Sequence, residues 1–98
     1  MILTTTNNIE GFKISDYKGI VTGTSIKIKT KLSFKTEKNL QYTDDVMNEV
    51  KEEAFQKLRD NAKKLNANAV VGINVDMETS SGTYFFVSVV GTAVSVIQ

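Results

Sequence analysis

Cysteine, histidine, tryptophan and proline are all absent from the 98 residues. Without cysteine there is no thiol nucleophile, no disulfide and no thiolate metal ligand; without histidine there is no imidazole base and no imidazole ligand. Lack of cysteine alone neither requires nor forbids an oxidising compartment. An excess of one charge is missing too: 12 Lys and Arg face 11 Asp and Glu, a net charge of +1. That balance gives no overall attraction to nucleic acid or to an anionic membrane. Long apolar runs are likewise absent. The start MILTTTNNIEG has no basic n-region and no apolar h-region, so it does not read as a signal peptide. The longest apolar stretch, Tyr84 to Ile97, is interrupted by Ser88, Gly91, Thr92 and Ser95 and is too short to span a bilayer. A cytoplasmic location is the expectation. What is present is an ordinary globular composition, 41% apolar and 23% charged. The length allows one domain, residues 1–98, that buries roughly two-thirds of its unfolded surface around a small core.

Ile2–Thr5 reads as a very short strand, and Asn7, Asn8, Glu10 and Gly11 as the turn after it. From Phe12 the chain is extended through Ile14, Ile20 and Val21, with bulges or bends expected at Gly19 and Gly23. Between Ser25 and Lys35 the alternation is strict. Ile26, Ile28, Thr30, Leu32 and Phe34 take one face; Lys27, Lys29, Lys31, Ser33 and Lys35 take the other. Period two with branched residues predicts a half-buried strand, and its lysines suit an edge that must repel other edges. Thr43-Asp44-Asp45 is expected to open a helix running to about Leu65, with Thr43 as N-cap. Its apolar face is Val46, Met47, Val50, Ala54, Leu58, Ala62 and Leu65. Acids crowd the first half and Lys57, Arg59, Lys63 and Lys64 the second, the order a helix dipole favours. Asn66 is the expected stop, because Asn tolerates the left-handed conformation.

Ala69 to Met77 reads as a strand with Val71, Ile73, Val75 and Met77 on one face, followed by a hairpin turn at Ser80-Ser81-Gly82. The last strand is apolar on both faces. Phe85, Val87, Val89 and Ala93 take one; Tyr84, Phe86, Val90, Val94 and Val96 take the other. One helix covers one face of a sheet, and the other face is normally polar where it meets water. The second face therefore needs a cover, each such side chain being worth roughly 1.5–3 kcal/mol on burial. A homo-oligomer interface at Tyr84, Phe86, Val90, Val94 and Val96 is favoured; the alternative is that the N-terminal strand folds back over them.

Three segments resemble the YbjQ family of small bacterial and archaeal proteins: MILTTTNNIEG with YKGIVTG (Tyr17–Gly23), LNANAVVGINVDME (Leu65–Glu78) and VSVVGTAVSV (Val87–Val96). The resemblance covers nearly the whole chain. It implies an α+β, dodecin-like β-α-β-β subunit, with an antiparallel sheet, one long helix packed on one face and an extra short N-terminal strand. It also implies assembly into a pentamer. The chain departs from the family pattern at Asn66, usually Gly, and at Thr24, where Glu commonly follows GIVTG. The Lys27–Lys38 segment replaces a Gly- and Arg-containing stretch.

The label "putative heavy-metal-binding" that this family carries fits the chain poorly, because soft metals want thiolate or imidazole. Asp76 and Glu78, on one strand face near a hairpin end, are weak candidates for a hard cation and read more simply as solvated acids. Asp44 and Asp45 read as helix N-terminal acids. Gly19 to Thr24 lacks the spacing and the Lys-Ser/Thr ending of a phosphate loop. The lysines from Lys27 to Lys38 would attract nucleic acid or an acidic partner if repeated around a ring, but read better as an edge guard. Tyr17 or Tyr42 beside Lys18 or Lys38 would supply acid–base pairs across subunits, yet nothing in the spacing selects them. No catalytic residue and no cofactor is assigned. The sequence favours a non-enzymatic, ring-forming homo-oligomer, a small binding or scaffold module whose partner is itself, with no membrane expected, nucleic acid disfavoured and any small ligand unidentified. The alternatives are an enzyme with an inter-subunit active site and a basic surface for an acidic partner.

Overall fold

The computed structural model describes residues 1–28, 36–80 and 84–98. Its elements are β1 (Ile2–Leu3), β2 (Lys13–Ile28), α1 (Thr36–Lys64), β3 (Ala69–Ser80) and β4 (Tyr84–Ile97). They make one sheet in the order β1-β3-β4-β2. The α+β architecture with one packed helix is as expected. The sheet, however, is mixed: β4 pairs antiparallel with β2 and β3, while β1 runs parallel to β3 through Ile2–Ala69 and Leu3–Val70. Among the described residues no helix is long and apolar enough to cross a membrane.

The helix starts at Thr36, about two turns before Thr43. Residues 37–42 contain neither Gly nor Pro, and Glu, Lys, Leu and Gln are good helix formers, so nothing halts the helix at the Thr-Asp-Asp sequence. Thr43 is therefore not the N-cap, and Asp44 and Asp45 lie inside the helix rather than in its first turn. Val46, Val50, Ala54, Leu58 and Ala62 are buried, and Met47 packs beside them. This i, i+4 row lies on Val21, Val70, Ile73, Phe85, Val87, Val89 and Ala93 of the sheet. Phe55, which the periodicity left out, also packs against this core. The helix ends as expected. Asn66 has φ 61°, its N–H bonds Lys63 O at 2.9 Å, and Ala67 N–H bonds Ala62 O at 3.1 Å. This pairing satisfies the last turn's carbonyls.

Two glycines set which side chains face the helix. Gly72 has φ 61° and sits at a register shift between Val71 and Asn74. Its N–H bonds Thr6 O at 2.8 Å, and Ile73 N–H bonds Thr4 O at 3.1 Å. The bulge corrects the single face expected for β3: Ile73 joins the helix-side core, while Val71 packs on the opposite side. In β2, shifts occur between Ile14 and Asp16 and between Tyr17 and Gly19, but none at Gly23. Gly23 instead lies under the helix. A Cβ there would collide with Ala54 O and come within 2.7 Å of Leu58 N. Val21, Gly23 and Ser25 thus face the helix, and period two forces Ile20, Ile26 and Ile28 to the other side. Those isoleucines are 77%, 58% and 66% exposed, the reverse of the half-buried face expected for Ile26 and Ile28. The remaining alternation, Lys29 to Lys35, and the turn at Ser81-Gly82 lie outside the described residues. The molecule is a two-layer slab of 53 × 23 × 16 Å. Its Cα radius of gyration, 16.2 Å, exceeds the ~13 Å of a compact chain of this size.

Candidate functional site

The sheet face away from the helix is divided. At one end the N-terminal segment returns over it, and Ile9, Phe12 and Ile14 pack on Ala69, Val71, Val94 and Val96. Asn68 secures this end: its side chain donates to Val96 O at 3.0 Å and accepts from Val96 N–H at 2.8 Å. Val94 and Val96, expected at a subunit interface, are thus buried within the chain. The cover is Ile9 and Phe12 of the connecting segment with Ile14 of β2; the short N-terminal strand itself does not fold over the face but pairs in the sheet beside β3.

The rest of the face has no such cover among the described residues. Tyr84, Phe86 and Val90 are half-buried there, opposite Ile28, Ile26 and Thr22 of β2. The structure therefore joins three of the five expected interface residues to Ile20, for which the sequence pattern set no face, and to Ile26 and Ile28, which the alternation turned toward the core. The usable signal was the small pair Gly23 and Ser25 alternating with Val21, a strip that suits a close helix. On the β3 side Asn74, Asp76 and Glu78 complete the rows, opposite Val90, Ser88 and Phe86. Asp76 and Glu78 do share this face, and both are exposed. Among the described residues no three His, Cys, Asp or Glu side chains gather as a metal site.

On the helix side, polar groups meet the free edge of β2. Lys57 Nζ donates to Thr24 O at 2.8 Å and Asn61 Nδ2 to Thr22 O at 2.8 Å. Ser25 Oγ bonds Glu53 at 2.7 Å, and Lys27 pairs with Glu49 at 2.9 Å. Lys27 therefore serves the helix–strand contact. A groove of about 300 Å³ lies between Thr22–Thr24 and Lys57, Asp60, Asn61 and Lys64. Much of its polar lining is already engaged, since Asp60 accepts from Gln56 at 3.0 Å. Lys18 pairs with Asp16 at 3.0 Å beside an exposed Tyr17. The side chains of Lys38 and Tyr42 lie outside the described residues.

A family model described as "Putative heavy-metal-binding" matches residues 1–97. A UPF0145 protein of Clostridium kluyveri is 37% identical, over 98% of this chain and 99% of its own. A UPF0145 protein of Acetivibrio thermocellus is 35% identical, over 96% and 97%. The fold is similar to a crystal structure from Pediococcus pentosaceus, described as a DUF74-family protein of unknown function. The TM-score is 0.71 at 25% identity, covering 99% of this chain and 98% of that one. With the match running through strands, helix and both ends of the sheet, the chain belongs to the YbjQ (UPF0145) family.

Proposed function

We propose that this protein is a homo-oligomeric binding or scaffold module without catalytic activity, whose subunits join through the open part of the sheet face. The observation that carries this reading is the cluster of Ile20, Ile26, Ile28, Tyr84, Phe86 and Val90 on the side opposite the helix. Burying the exposed Ile20, Ile26 and Ile28 would be worth up to about 1.5–3 kcal/mol each, with less to gain at the half-buried Tyr84, Phe86 and Val90, and a contiguous apolar patch of this kind marks an interaction surface. A closed ring, of five subunits by the family resemblance, covers such a patch in every copy without leaving a free end. Any ligand site then lies at subunit junctions or on the ring axis, where identical groups converge. The lack of cysteine and histidine speaks against soft metals as that ligand.

The test is native mass spectrometry of the untagged chain beside Phe86→Asp. Wild type should give one multi-subunit mass, and Phe86→Asp monomers or insoluble protein. A wild-type monomer, or an intact soluble assembly of the variant, overturns the reading.

A further inference from the structure

The two edges of the sheet are finished differently. At β2 the outward carbonyls of Thr22 and Thr24 are taken by Asn61 and Lys57. At β3, Val70 O and Ile73 N bond Thr4 of the N-terminal segment, so both point outward. Strand alternation then turns the N–H and C=O groups of Val75, Met77 and Thr79 outward, away from β4. Among the described residues nothing pairs with these groups. The side chains alternate as well. Val75 and Met77 lie on the helix side, exposed, with Met77 lining a hollow of about 340 Å³ that Met47 and Lys51 share. Asp76 and Glu78 lie on the opposite side.

We propose that the edge of β3 from Val75 to Thr79 takes an extended peptide from another protein, with basic and apolar residues alternating. Added as a further strand, the peptide satisfies the outward amides of Val75, Met77 and Thr79. Its apolar residues lie over Val75 and Met77, and its basic residues lie beside Asp76 and Glu78. Self-pairing is the poorer match. Antiparallel β3–β3 pairing brings the acids of two copies together on one face. Pairing with another copy's β2 at Thr22–Thr24 meets carbonyls already engaged by Lys57 and Asn61. The edge thus has open donors and acceptors together with a charge pattern that disfavours its own kind.

The probe is a labelled nonapeptide of alternating lysine and valine, followed by fluorescence anisotropy on the full chain. Saturable binding to wild type is expected. Met77→Pro removes an outward N–H without touching the β4 ladder, and should weaken binding at least about tenfold. Asp76→Lys with Glu78→Lys, both on exposed side chains, should also weaken it roughly tenfold and should admit a glutamate–valine peptide instead. The second variant holds the test if circular dichroism shows the proline variant unfolded. No binding to wild type overturns the proposal, as does equal binding to wild type and both variants. So does equal affinity of wild type for the glutamate peptide. If native mass spectrometry finds that Met77→Pro, folded, breaks subunit association, a second copy holds the edge and the proposal also fails.

Discussion

Phe86 and Val87 are neighbours in β4, yet they belong to two different surfaces. Val87 is fully buried under the helix, in the core that also holds Ala54, Leu58 and Phe85. Phe86 stands on the other face, half-buried between Ile26 and Glu78. Both are apolar and both satisfy period two. What separates them is the helix: one face is closed by α1, and among the described residues the other is closed by the N-terminal segment at one end alone. Apolar content therefore says that a strand needs cover on both sides, whereas the geometry says which cover the chain itself supplies.

That contrast can be broken most severely at β4. Val87→Asp would bury an unpaired charge, with an expected loss above about 4 kcal/mol that leaves the chain unfolded by circular dichroism. Phe86→Asp should leave the helix–sheet core standing and act on association. If the two variants lose the same secondary structure, the two surfaces are not independent. Next in size is Gly23→Ala. Its Cβ meets backbone atoms of the helix, so the helix must lift, at an expected cost of about 1–3 kcal/mol in urea denaturation. A neutral result would mean that the helix does not sit so close. At the N-terminal cover, Asn68→Ala removes both bonds to the Val96 backbone and should cost about 1–3 kcal/mol. Val96 amide exchange should rise with it; unchanged exchange would detach Asn68 from this role. The smallest effect is expected for Lys27→Glu, which sets two acids together at a half-exposed pair. A loss within about 1 kcal/mol, shrinking in high salt, is the expected denaturation result.

Much of the architecture was legible. The helix core positions Val46 to Ala62 follow a spacing that only one face of a helix brings together, and Asn66 stops the helix through its own conformational tolerance. Less of the candidate site was legible, and for identifiable reasons. The bulge at Gly72 depends on Thr4 and Thr6, more than sixty residues away in sequence, so no local pattern reveals that Val71 and Ile73 part company. For β2 the alternation was plain but its sense was not. Hydrophobicity alone turns Ile26 rather than Lys27 inward; the reverse is seen only once Gly23 lies against Ala54 and Lys27 meets Glu49 of the helix.

The amino-acid sequence by itself determined the absence of thiol and imidazole chemistry, the element types, the helix end and the need of β4 for two covers. These depend on composition and on periods of two and 3.6 residues, which are local properties. The tertiary structure alone decided which face of β2 meets the helix, where the N-terminal segment ends its cover, and which sheet edge has amides unpaired among the described residues. Those outcomes depend on contacts between segments far apart in the chain, where one close approach, at Gly23 or at Gly72, turns every following side chain to one side or the other.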